Sequence, residues 1–267
     1  MPAPYTHYSV ARDAFTLFAP EIQEKILPHL PLYFFGAQGA DFCFFYPTRT
    51  RKKMNLGRIL HRDGYEFFRI LALFSHGDDE AFAYALGYIA HYAADTAFHP
   101  FVYHLSGKSL MKHSRVESAL DRTFRAEDKK RHGPDPFLKY FRPKLTGEYL
   151  DKIFLLYASY AAVNGYLPLT KRTFQKSVTA FNAYTGAAFG IFPQRRSPVP
   201  LRVLLNVDKT VWYNPKAPFL TSTDGAKELY ENAVRSARKY AEIFEACVKE
   251  KKAPPKESFS KSFLSGI

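Results

Sequence analysis

Apolar positions along the chain recur at helical spacing and almost nowhere alternate with a period of two, so the pattern predicts helices broken by Pro and Gly rather than strands. A first helix is predicted from about Tyr8 to Leu17, stopped near Pro20. A short second one covers Glu21 to Leu27, before Pro28 and Pro31. An aromatic segment, Leu32–Tyr46, carries Gly36, Gly39 and Asp41; a basic turn at Arg49–Lys53 separates it from a helix at Gly64–Phe74. The most regular pattern runs from Asp78 to Phe98. Asp78 or Asp79 can cap its N-terminus, and His99-Pro100 disfavours its continuation. Further helices are expected at Ser109–Lys130, closed by His132-Gly-Pro134, and at 148–163 and 168–190. Pro193–Pro218 reads as an irregular connector, followed by a long helix at Thr223–Lys249 with Ser222 or Thr223 as cap. The polar residues after Lys251, with Pro254-Pro255, predict a mobile tail. The predicted fold class is all-α: a single multi-helix domain over residues 1–250 with 251–267 as the tail.

Composition changes this picture little. The 267 residues suffice for one sizeable helical core, and the 16% aromatic content suits bulky packing or a cleft for acyl chains. Cys43 and Cys247 each stand alone in an apolar run, which excludes a disulfide framework and a Cys-type zinc site. The opening residues lack a basic start and an apolar stretch, and no apolar run reaches bilayer length, so the expectation is a soluble, cytoplasmic protein. Charge is more informative. Residues 1–104 carry a net −1 and residues 105–267 a net +14, a field that favours anionic partners such as lipid headgroups, phosphorylated metabolites or nucleic acid.

Chemistry concentrates in Gly87-Tyr-Ile-Ala-His91-Tyr-Ala-Ala-Asp95-Thr-Ala-Phe-His99-Pro. Steps of four rotate by only about 40° on a helix, so His91, Asp95 and His99 share one face, otherwise lined by Leu86, Ala90, Ala94 and Phe98. Three titratable groups on an apolar face are costly unless they bind something, and a metal removes the cost. His91 and His99 lie about 12 Å apart along the axis, too far to share one ion. His91 with Asp95 can serve one ion and His99 another. His113-Ser-Arg-Val-Glu117 follows after a short loop, and His99, His113 and Glu117 could share a zinc. Such nitrogen and oxygen donors could also hold iron or manganese.

These residues resemble the zinc-dependent phospholipases C and, less closely, the related single-strand-specific nucleases, a helical family that binds three zinc ions. The family order is an early His, an Asp, a His, an HxxxD helix with a further His, and HxxxE in the lipases; the nucleases carry HxxxD in that last place. This chain offers His7, Asp41, His61, His91, Asp95, His99, His113 and Glu117 in that order. The resemblance implies one zinc on Asp41, His61, His91 and Asp95, a second on His99, His113 and Glu117, and a third on His7 with Asp95 bridging. The third would also take the N-terminal amine, here that of Pro2 after removal of Met1. It further implies Asp41 as the residue that positions or deprotonates the attacking water, and Phe42 as a substrate-side aromatic. His76 is the alternative to His61. His104 is the alternative to His99, because the secreted lipases place that ligand six residues after the Asp rather than four. Residues 1–6 contain no carboxylate, so a preference for choline lipids does not carry over.

The expected activity is zinc-dependent hydrolysis of a phosphodiester, with phospholipid as substrate and peripheral contact with an anionic membrane. A nuclease or phosphomonoesterase on the same scaffold, and a non-catalytic zinc-bearing module for anionic surfaces, are the alternatives. Phe34, Phe35, Phe42, Phe44 and Phe45, around Asp41, read either as core or as an acyl-facing rim.

Overall fold

The computed structural model describes residues 4–46, 55–132, 145, 147–166, 168–191 and 199–267. The helices are α1 (Pro4–Phe15), α2 (Pro20–Ile26), α3 (Leu30–Gly36), α4 (Leu56–Arg62), α5 (Tyr65–Ser75), α6 (Asp79–Ser106), α7 (Leu110–His132), α8 (Gly147–Val163), α9 (Lys171–Ile191), α10 (Leu201–Leu204), α11 (Ala226–Lys249) and α12 (Lys256–Phe259). Short 3-10 turns occupy Leu27–His29 and Asp41–Phe45. Strands β1 (Trp212–Asn214) and β2 (Ala217–Ser222) form an antiparallel hairpin, the one sheet among the described residues. The fold is all-α, as expected. The basic turn at 49–53 and the predicted stop at Gly133-Pro134 lie outside the described residues.

The 28-residue α6 is the axis of the molecule. From Ala81 to Ala94 it is apolar on every side except at His91, and a helix apolar all round must be covered all round. Helices α1, α3, α5, α7 and α11 cover it. Its start matches the sequence pattern, since the Asp78 carboxylate accepts from Ala81 N at 2.9 Å. Its end does not. The helix runs through Pro100 to Ser106, although proline removes the donor that Thr96 O would have used. Burial offsets that loss: Phe101 and Val102 are inside, and the Phe101 ring lies 5.3 Å from that of Trp212.

Two glycines set the closest contact. A Cβ on Gly87 would sit 1.9 Å from Tyr33 O, and one on Gly36 would sit 2.2 Å from Tyr84 O, so α3 and α6 meet main chain against main chain. This contact brings the Asp41 turn, just beyond α3, up to the middle of α6. Gly39 lies between them with φ +54°, where a Cβ would enter the His91 ring.

The second half departs from expectation in three places. Helix α11 begins after Gly225, whose N–H donates to Glu228 at 3.0 Å, rather than at Ser222 or Thr223. It buries Leu229, Ala233, Ala237, Ala241, Phe244 and Val248, one stripe at helical spacing. The connector holding Trp212 contains the hairpin. The segment after Lys251, expected to be mobile, is packed: Phe259 and Phe263 are fully buried, and Asn214 Nδ2 donates to Ser265 O at 2.8 Å. Two phenylalanines four residues apart give an otherwise polar segment a buried face.

Candidate metal centre

The structure brings all eight sequence-predicted residues to one place. His7 comes from α1, Asp41 from the turn after α3, and His61 from the last turn of α4. His91, Asp95 and His99 come from α6, and His113 and Glu117 from the first turns of α7. All eight are buried. The alternatives lie elsewhere: His76 is exposed at the end of α5, and His104 packs on Tyr213 of the hairpin at 4.8 Å. Pro2 lies outside the described residues.

Asp95 is the centre. Its Oδ1 is 3.3 Å from His7 Nε2, while its Oδ2 is 3.3 Å from His91 Nε2 and 3.5 Å from His61 Nε2. The two oxygens of one carboxylate thus face two different histidine groups. On the His61 side, Nε2 lies 3.1 Å from Asp41 Oδ1 and 3.4 Å from His91 Nε2. One helical turn further along α6, Glu117 Oε1 lies 3.0 Å from His113 Nε2 and 3.4 Å from His99 Nε2. Three donor groups result: His7, His91 and Asp95; Asp41, His61 and His91; His99, His113 and Glu117.

Two independent observations show that these groups suit a cation. A tetrahedral zinc with bonds near 2.0–2.1 Å has donor–donor edges of about 3.3–3.4 Å, and the distances above cluster at that value. The protons also fit. Gly57 O, 2.7 Å from His61 Nδ1, can only accept, so Nδ1 carries a hydrogen and Nε2 is the nitrogen left to face Asp41 and Asp95 and to serve as ligand. Phe263 O, 2.6 Å from His99 Nδ1, fixes that ring in the same way. Either a proton or a metal ion on each Nε2 would meet these carboxylates, and a carbonyl behind the His61 and His99 rings is the usual support for a histidine ligand. Asp41 Oδ2 and Asp95 Oδ2 are buried without a hydrogen bond among the described residues. A divalent ion would satisfy them.

The electrostatics agree. Burial alone would raise the Asp95 pKa, but His99, His91 and His7 hold it well below the ordinary carboxylate range. Burial opposes ionisation of Glu117 too, yet hydrogen bonds from His113 and His99 bring it to about 2. Burial works against the His99 cation, but Asp95 and Glu117 outweigh it and lift the pKa to about 9. His7 is raised, with Asp95 again outweighing burial, whereas burial lowers His91. Protons on His7 and His99 thus neutralise carboxylates where an ion otherwise would.

A further residue escaped the sequence reading. Asp121, one turn beyond Glu117, accepts from Tyr5 N at 3.2 Å, Thr6 N at 2.8 Å and Thr6 Oγ1 at 2.8 Å. A carboxylate on α7 therefore caps the helix that carries His7. Asp128 holds the same helix through Arg12, with contacts of 2.9 and 3.0 Å. The spacing Glu117, Asp121, Asp128 was the available signal. Phe42, expected to face substrate, does not: it is fully buried against Phe35, Tyr157 and Phe174. Phe34 and Phe35 are likewise core.

A helical scaffold with three adjoining groups of buried histidine and carboxylate, each able to hold a metal ion, has the features of a metal-binding protein. The chain belongs to the zinc-dependent phospholipase C family, whose model matches residues 6–166. No curated protein and no solved structure matches it.

Proposed function

We propose that this member of the family is a phosphoric diester hydrolase acting on phospholipids. The observation that carries the reading is Asp95, whose two oxygens face separate histidine groups as a carboxylate shared by two ions would. Asp41, His61, His91 and Asp95 would hold one zinc, His99, His113 and Glu117 a second, and His7 with Asp95 a third. Zinc bound here would neutralise the phosphate diester and bring a bound water to a pKa of about 7.

The chain's own groups supply the rest. Asp41 directs Oδ1 at His61 and leaves Oδ2 without a hydrogen bond, so one oxygen can serve as ligand while the other takes the proton of the attacking water. The carbonyls of Gly57 and Phe263 hold His61 and His99 in the tautomer that ligation needs. A small cavity runs between the His7–Asp95 and His99–Glu117 groups, and Phe98, Val102 and Leu120 give it an apolar wall. Glu117, at the place where the related nucleases carry Asp, supports a phospholipid over an oligonucleotide. Attack at phosphorus would expel diacylglycerol.

The test is turnover by zinc-loaded protein on three substrates: a short-chain phospholipid, a single-stranded oligonucleotide and a simple aryl phosphodiester. The reading expects the phospholipid to be hydrolysed fastest and Asp41→Asn to abolish turnover while the ion on His99, His113 and Glu117 stays bound. Preference for the oligonucleotide would replace it with a nuclease, the alternative that the basic second half favours. Inactivity on all three with full zinc would leave a non-catalytic module.

A further inference from the structure

The hairpin and the α6–α7 turn place unusual side chains in water. Phe219 is 83% exposed, Leu110 72% and Met111 66%, with Tyr213 and Leu220 also exposed. They belong to one end of the molecule. Trp212 and Tyr213 of β1 pack on Phe101 and His104 in the last turns of α6, Gly107 ends that helix, and Leu110–Met111 open the next. The same end of α6 and start of α7 carry His99 and His113. Large exposed apolar groups gathered this way mark a binding surface.

Within these segments the charge has one sign. Residues 96–116 and 209–223 contain no Asp or Glu, but they contain Lys108, Lys112, Arg115, Lys209 and Lys216. Of these, Lys209 pairs with Glu228 outside the face. Lys108, Lys112 and Lys216 are exposed, and no ion pair involves them among the described residues. Bulky apolar groups ringed by uncompensated lysines match an anionic bilayer, where rings enter the acyl boundary and ammonium groups meet phosphates. A protein partner of this size would more often meet mixed charge. No helix among the described residues is long and apolar enough to cross a membrane, so the contact would be peripheral.

We infer that the β1–β2 hairpin and the α6–α7 turn form a docking face for anionic phospholipid surfaces, set at the end of the helices that bears His99 and His113. The inference rests on the phospholipid reading for its purpose, but binding needs no turnover, so the two can fail separately.

The experiment is co-sedimentation with vesicles of equimolar phosphatidylcholine and phosphatidylglycerol, against vesicles of phosphatidylcholine alone. Fluorescence of Trp212, the single tryptophan, follows the hairpin directly. Wild type should bind the mixed vesicles and release them in high salt. Phe219→Ser with Leu220→Ser should weaken binding by about tenfold or more. Lys108→Gln with Lys216→Gln should weaken it by about fivefold per lysine. Zinc content and melting temperature should match wild type in both variants, because every altered side chain is exposed. Wild-type protein that ignores the vesicles, or a Phe219→Ser/Leu220→Ser variant that binds like wild type, would overturn the inference. So would a wild-type dimer that the same variant dissociates, since the face would then belong to a second copy of the chain. Vesicle binding through Phe219 by a protein that hydrolyses no phosphodiester would uphold the docking face and remove the hydrolase. Hydrolysis of soluble lipid without vesicle binding would do the reverse.

Discussion

Ending the chain at Ser262 removes Phe263–Ile267, and the structure sets two separate consequences for that deletion. The first is packing. The Phe263 ring is fully buried against His61, Tyr88, His91 and Tyr92, and losing such a ring costs about 3–5 kcal/mol. At about 2–4 °C per kcal/mol for a chain of this size, the melting temperature should fall by roughly 6–20 °C. The second is ligation. Phe263 O is the acceptor that orients His99, and removing such a partner weakens a metal site by about 10–100-fold. Phe263→Ala separates the two, because it deletes the ring and keeps the carbonyl. Both variants should melt earlier, but only the truncation should weaken the ion on His99, His113 and Glu117. Zinc released to a chromogenic chelator at graded competition, with melting curves alongside, reads both quantities. A truncated chain that holds all its zinc as tightly as wild type would refute the second part. Equal zinc loss in the two variants would show that packing, not the carbonyl, holds His99.

Other expectations follow from the same geometry. His91→Ala should release the ion shared with Asp41, His61 and Asp95, whereas His113→Ala should release the ion shared with His99 and Glu117; elemental analysis of both proteins, with zinc competition on each, distinguishes the losses. In zinc-free protein the His99 pKa stands near 9, above its ordinary value, so its stabilising proton is fully present below about pH 6.5 and is lost as pH rises to about 9. Thermal stability of the zinc-free chain should therefore decline over that window, and His99→Gln should flatten the decline. Asp121→Ala leaves Tyr5 N and Thr6 N without their acceptor and should destabilise by about 1–3 kcal/mol, read by denaturant titration. It should also loosen the ion on His7 more than the one on His113, which zinc competition would resolve.

The part of the site written in one helix was legible without any structure. His91, Asp95 and His99 fall on one face by helical arithmetic alone, and His113 and Glu117 repeat the spacing on the next helix. His7, Asp41 and His61 come from three other elements. Their convergence depends on how α1, α3 and α4 dock, which no local periodicity encodes, so only the family resemblance pointed to them. The misread elements share a cause as well. The hairpin, the run of α6 past Pro100 and the packed C-terminal segment are held by distant partners: Trp212 on Phe101, and Phe259 and Phe263 inside a cage built from α5, α6 and α11. Local composition there argued for connector, stop and tail, and tertiary burial overrode it.

The main-chain contact between α3 and α6 bears on how this centre can change over time. The approach of Asp41 to His91 is set where Gly36 and Gly87 let two backbones touch, with no side chain in between to grow, shrink or repack. Most protein interfaces drift because a larger residue on one side can be answered by a smaller one on the other. Here that reciprocity is missing. Divergence in this lineage would spare the spacing of the ion-binding groups and act on what surrounds them, in the hairpin, the turns and the cavity wall. The seam behind the site ties the spacing of the ion-binding groups to two positions where any side chain would collide with backbone.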